Sequence, residues 1–226
     1  MTMRRTFVLL LSCLCHRSTS RAFHATSTPP LLDVPVFSLA TLGDGPPSGE
    51  GTMNILTYAS PVSIQPQRMW SIALYKGTMS HENFARERRG VLQMLRPEHA
   101  RCRAGNEAVG GLIRTLGGCS GRDVDKRALC AELGYDWETL PKGEEDGEEA
   151  GHWPLVLPSC LYYLKLELVG DLIDCGSHEV ALCRVAGMLT PEGKAGNAAE
   201  ELDSLSTRQL RDMSIISELG RVIPLE

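Results

Sequence analysis

Residues 54–95 read NILTYASPVSIQPQRMWSIALYKGTMSHENFARERRGVLQML, and no other stretch constrains the architecture as tightly. Met53 to Ser60 is rich in β-formers and predicts a strand. Pro61 to Gln67 predicts a turn, with Pro66 fixing its geometry. Met69 to Tyr75 alternates well enough to be a second strand. Ser80 to Arg89 predicts a helix: Ser80 is a good N-cap, Glu82 falls in the first turn, Phe84 faces inward and basic residues fill the last turn. Gly90 follows as the stop. Val91 to Leu95 then reads as a buried strand.

Upstream, Val34 to Leu42 is an apolar patch that predicts an entry strand. Gly43 to Gly51, with Pro46 and Pro47, reads as a turn or linker. Downstream, two short helices are expected over Asn106 to Leu116, ended by Gly117-Gly118, and over Asp123 to Leu133, capped by Asp123 and stopped by Gly134. The run from Gly143 to Gly151 is acidic and glycine-flanked, the composition of a solvated loop. Ser159 to Gly170 predicts a long strand with Leu161, Tyr163, Lys165 and Glu167 on one face. Asp174-Cys175-Gly176-Ser177 joins it to a strand over Glu179 to Leu189. Ser206 to Ser217 predicts a last helix carrying Leu210, Met213 and Ile216. Strands with short interposed helices and hairpin-like joins give a mainly β chain, and a barrel in preference to a doubly wound parallel sheet.

The 226 residues are 42% hydrophobic and 23% charged, with net charge −5. That is globular composition. No run of Lys and Arg interleaves with aromatics, which argues against nucleic acid as a partner. The basic run Arg86 to Arg89 is too small for such a footprint. Of eight cysteines, no two form a C-x-x-C pair, and the histidines show no paired ligand spacing. No structural metal is expected, and a reducing compartment is. There is neither a P-loop nor a G-x-G-x-x-G after a strand. Gly117-Gly118-Cys119-Ser120-Gly121 is glycine-rich, lacks the Lys-Ser/Thr ending, and reads as a helix stop and turn.

In order and spacing, residues 54–95 resemble the flavin-reductase-like family of FMN-binding split β-barrels, most closely its plant and algal branch. The likeness extends over about residues 50–225 and includes the ending Arg211-Asp-Met-Ser-Ile-Ile-Ser-Glu-Leu-Gly-Arg221. The resemblance implies an FMN site with two segments. Thr57, Tyr58, Ala59 and Ser60 would line the isoalloxazine edge. Lys76, Thr78 and Ser80 would meet the phosphate, which wants cations, hydroxyls and helix-start amides, with Arg86 or Arg89 able to reach over. It also implies that His178 lies near the flavin and the nicotinamide. The family often has Gly-Asp-His there; here Ser177 replaces the Asp, so the adjacent residue offers a hydroxyl where the family offers a carboxylate to orient the imidazole. The implied activity is NAD(P)H-dependent flavin reduction, with hydride passing to flavin N5, and the implied assembly is a homodimer. A non-catalytic protein that stores or senses FMN is the alternative; a scaffolding barrel with a decayed slot is a third.

The N-terminus reads as a leader. Arg4 and Arg5 precede the apolar run Phe7 to Leu14, too short to span a bilayer as a stable helix, and an acid-free stretch rich in Ser, Thr and Pro follows to Pro30. With Arg21-Ala22-Phe23 at the junction, this resembles the bipartite leader of plastid proteins in algae with complex plastids; secretion is the alternative. The expected organisation is a cleavable leader and linker over 1–49 and a split-barrel domain over 50–226, with no membrane partner for the mature domain.

Overall fold

The structure is a computed structural model that describes residues 30–43, 51–101, 109–141, 152–191 and 203–223. The leader through residue 29 and the acidic run at 143–151 lie outside the described residues. The described residues from Leu32 onward belong to one compact unit.

Eight strands form one antiparallel sheet: β1 (Phe37–Thr41), β2 (Thr52–Leu56), β3 (Ala59–Ser63), β4 (Met69–Tyr75), β5 (Arg89–Met94), β6 (Tyr162–Leu168), β7 (Ile173–Cys175) and β8 (His178–Leu189). Their order is β2-β1-β5-β6-β8-β4-β3, with β7 beside β6 on one edge of β8. The sheet curls into a half-barrel, and few short helices accompany it. These are α1 (Met79–Glu87), α2 (Gly111–Gly118), α3 (Lys126–Glu132) and α4 (Thr207–Asp212).

β1 and β5 explain why the sheet curls around a core while also carrying helices outside. Successive side chains on a strand face opposite ways. Phe37, Leu39 and Leu92 enter a cluster with Ile72, Leu74, Leu164, Leu166 and Ala181. Ala40, Val91 and Leu95 enter a second cluster with Leu112 and Leu116 of α2, Cys130 of α3 and Leu210 of α4. All five residues of β1 are buried. β1 falls within the expected entry strand Val34 to Leu42 and lies between β2 and β5.

Several local expectations change. α3 is capped by Asp125, which accepts from the Ala128 amide at 3.0 Å, and not by Asp123. The single strand Met53 to Ser60 is two: β2 pairs with β1 and β3 with β4, and the chain turns at Thr57-Tyr58. Ser80 does not cap α1. Thr78 does, accepting from the His81 amide at 3.2 Å in an extended conformation (φ −80°, ψ 150°), and Ser80 is buried in the first turn. Gly90 does not stop α1: Arg88 takes the left-handed conformation (φ 59°), and Gly90 lies in β5. Gly117 and Gly118 form the last turn of α2 instead of ending it beforehand. A Cβ on Gly117 would sit 2.7 Å from Val222 and 3.2 Å from Ile55. The glycine thus lets α2 approach β2.

A buried tyrosine pins the turn before β6. Tyr163 Oη donates to the Leu157 carbonyl at 2.8 Å and accepts from the Cys160 amide at 3.1 Å. Tyr163→Phe leaves both groups without that partner, so unfolding stability should drop by about 1–3 kcal/mol. An unchanged urea midpoint would show the hydroxyl to be dispensable.

Candidate functional site

The turn at Thr57-Tyr58, the start of α1 and the β7–β8 hairpin meet at one cleft of about 390 Å³. Its floor is the end of β2 (Asn54, Ile55, Leu56) and of β4 (Ala73, Leu74, Tyr75). Thr57 and Tyr58 form one wall, and the Ala73 amide donates to the Tyr58 carbonyl at 2.9 Å, fixing that wall to β4. Thr78 and Ser80 stand at one end. Leu219, Gly220 and Arg221, on a tight loop closed by hydrogen bonds between Ser217 and Arg221, line another side.

The hairpin supplies Ser177 and His178. Cys175 pairs with His178 across the two-residue loop Gly176-Ser177, and Gly176 has φ +78°, which suits a glycine-first hairpin loop. The His178 ring meets Tyr58 edge-on at 5.7 Å and Tyr75 edge-on at 5.2 Å. Its Nδ1 is 3.0 Å from Ser177 Oγ. The hydroxyl can donate or accept, so Ser177 orients the imidazole without fixing the tautomer that a carboxylate would impose. The nearest carboxylate in sequence, Glu179, pairs with His81 Nε2 of α1 at 2.6 Å.

A second chamber of about 210 Å³ adjoins the first. The two share Asn54, Thr78 and Ser80. Its far wall is the α2–α3 connection, with Ser120, Gly121, Arg122 and Lys126. A Cβ on Gly121 would lie 2.7 Å from Thr52 Oγ1, so that wall packs directly on β2.

Of the expected site residues, Thr57, Tyr58, Thr78, Ser80 and His178 line the main cleft. Ala59 and Ser60 run on into β3 and do not line it, nor do Arg86 and Arg89. Lys76 lines neither chamber. Its ammonium pairs with Asp174 of β7 at 2.8 Å, and its amide donates to the Ser177 carbonyl at 3.1 Å. The Lys76 ammonium, helped by the Gly176 amide, holds the Asp174 carboxyl below its usual range. Lys76 thereby ties the hairpin that carries His178 to the end of β4. Arg122, Lys126 and Arg221 were not legible as site residues. Ser120-Gly121-Arg122 resembles any glycine turn, and Lys126 any first-turn lysine on a surface helix.

No family model matches the chain, and no curated protein matches it significantly. Solved structures do. A flavoredoxin from Methanosarcina acetivorans superposes with TM-score 0.55 at 14% identity, covering 76% of this chain and 77% of that one. An FMN-binding protein from Thermus thermophilus with bound p-hydroxybenzaldehyde gives 0.53 at 16% identity, over 76% and 83%. An NADH:FAD oxidoreductase from Streptomyces globisporus gives 0.51 at 15% identity, over 70% and 76%. The chain shares the split β-barrel fold of these proteins.

Proposed function

We propose that this chain binds FMN in the main cleft and works as an NAD(P)H-dependent flavin reductase. One observation carries the reading: a strand-end wall, a helix start and a hairpin histidine, far apart in sequence, converge on one cleft of about 390 Å³. Small-molecule sites occupy about 300–1,000 Å³. The donor set also fits the cofactor. Thr57 and Tyr58 would meet the isoalloxazine edge, and Ser80 and the α1 amides would meet a phosphate, since the Thr78 hydroxyl already donates to the Tyr75 carbonyl and accepts from the His81 amide.

When bound, the flavin supplies the redox chemistry by accepting hydride at N5. The chain's own residues hold and shield it. Leu56 and Leu74 give the slot apolar walls. Tyr58 and His178 stand at its rim, where they would flank a second ring and limit access of water. Orientation by a serine hydroxyl, in place of a carboxylate, favours a second reading in which FMN is held or sensed without turnover.

Incubation with FMN followed by gel filtration should give a flavin absorption spectrum comigrating with protein, and NADH or NADPH should bleach it. Comigration without bleaching selects the holding protein. Failure to bind FMN, together with no NAD(P)H oxidation when FMN is supplied as a free substrate, removes both readings. We also propose a homodimer, supported by the exposed Val62, Ile64, Ile173 and Leu182 on β3, its flank, β7 and β8, and plastid targeting by the leader. Light scattering and import of the first 49 residues fused to a reporter test these.

A further inference from the structure

The main cleft carries a charge that the flavin reading leaves unused. Among the described residues no Asp, Glu or Lys lines it, and Arg221 is the one arginine that does; His178 adds charge only when protonated. The Arg221 guanidinium has no hydrogen bond or ion pair among the described residues, whereas Arg114 and Arg122 are both engaged.

Exposed arginines are usually solvated and serve no site. Arg221 differs in how it is held. The Ser217 amide donates to its carbonyl at 2.8 Å, and its own amide donates to Ser217 Oγ at 3.3 Å. Val222 beside it is bridged to Ile216 and packs on α2, where a Cβ built on Gly117 would come within 2.7 Å of it. The Ile223 amide donates to the Ile215 carbonyl at 2.9 Å. A pinned hairpin thus presents an unpaired guanidinium at the cleft, and little backbone freedom would be lost when an anion meets it. Leu219 at the hairpin tip also lines the cleft and is 87% exposed, an apolar surface on which a purine could lie.

The sign of the charge decides between the two nicotinamide donors. NADPH differs from NADH only by a phosphate on the 2′ position of its adenosine ribose. A phosphomonoester carries about −1.5 to −2 charge at pH 7 and three acceptor oxygens, and a guanidinium fork pairs with it bidentately. Sites that take NADH commonly place an Asp or Glu on that ribose; no described carboxylate lines this cleft. The adenosine is the end of the donor farthest from the reacting ring, which suits a cation on an exposed hairpin. The helix start that would meet the flavin phosphate opens into the second chamber, which Arg221 does not line.

We infer that Arg221 pairs with the adenosine 2′-phosphate of the hydride donor and makes the chain selective for NADPH over NADH. This rests on the flavin-reductase reading and deepens it.

Steady-state oxidation of NADPH and of NADH by the full chain, with FMN supplied, tests it. kcat/KM for NADPH should exceed that for NADH about tenfold or more, mostly through KM, and the excess should shrink as salt is raised. Arg221→Ala should raise KM for NADPH about tenfold and bring the two donors near parity. Arg221→Lys, a point charge without the fork, should keep part of the preference, and Arg221→Glu should reverse it. The side chain is exposed, so all three variants should fold. Fluorescence titration with FMN separates donor from cofactor. A wild type that takes both donors equally, or prefers NADH, overturns the inference and leaves flavin reduction standing. Weakened FMN binding in Arg221→Ala with an unaltered NADPH preference also overturns it, and puts the arginine on the flavin phosphate. Oxidation of neither donor removes the parent reading and this inference with it.

Discussion

Phe84→Ala is expected to lower unfolding stability by about 3–5 kcal/mol, the range for emptying a buried phenylalanine site. Phe84 is completely buried and is the only residue of a described helix in the cluster with Leu39, Ile72, Leu92 and Leu166. Its ring lies against Gly90, where a built Cβ would come within 3.2 Å of it and 2.8 Å of the Ala40 carbonyl. β1, β2, β4 and β5 all pack against α1, so the site cannot collapse cheaply. The effect should reach the cleft. α1 is seated on the sheet through Phe84, and it places Ser80, His81 and the helix-start amides. Ligand binding should therefore weaken under conditions where the variant is still folded. Urea unfolding with an unchanged slope and a lowered midpoint would show this. A loss below about 1 kcal/mol for Phe84→Ala would mean that α1 is held by something other than this core contact.

The same helix shows how far local pattern could be read. Its extent was legible because Phe84 and the polar residues around it have helical spacing, and β4 was legible because Lys76-Gly77 ends its alternation. The capping residue was not. Thr78, Ser80 and their neighbours compete for that role, and the choice depends on Gly77 (φ +78°) turning the chain out of β4. The break at Thr57-Tyr58 was hidden for a different reason. The residues on both sides are equally strand-like, and what separates β2 from β3 is the partner each finds, β1 or β4. Gly90 and Gly117 misled because a glycine that permits close approach looks the same in sequence as one that stops a helix. In the site, Thr57, Tyr58, Thr78, Ser80 and His178 were legible through order and spacing. Lys126 was not: burial turns an ordinary first-turn lysine into an interior cation, and burial is a tertiary property.

That burial gives Lys126 an expected signature in the pH dependence of stability without ligand. The folded pKa of the ammonium is about 8, against an ordinary value of 10.5, so between those limits the unfolded chain binds more protons. Stability from this group therefore rises with pH across that window. Three buried thiols act in the opposite sense. Desolvation raises Cys130 from 9.0 to about 11 and Cys183 to about 12, and it raises Cys160 further. Above pH 9 the unfolded chain gives up these protons while the folded chain keeps them, so stability falls. From pH 8 to 9 the two effects should nearly cancel, because one lysine contributes about 1 kcal/mol upward and three thiols together about as much downward. The wild-type curve should be nearly flat to pH 9 and then fall, more steeply once the raised Tyr163 phenol adds its own loss above pH 10. Lys126→Met removes the upward contribution alone. Its stability should begin to fall near pH 8, and the gap to wild type should widen by about 2 kcal/mol between pH 8 and pH 10. Urea midpoints across that range measure the gap directly. A constant gap would mean that Lys126 titrates in the folded chain as it does in the unfolded one, and that its ammonium is not desolvated at the chamber wall.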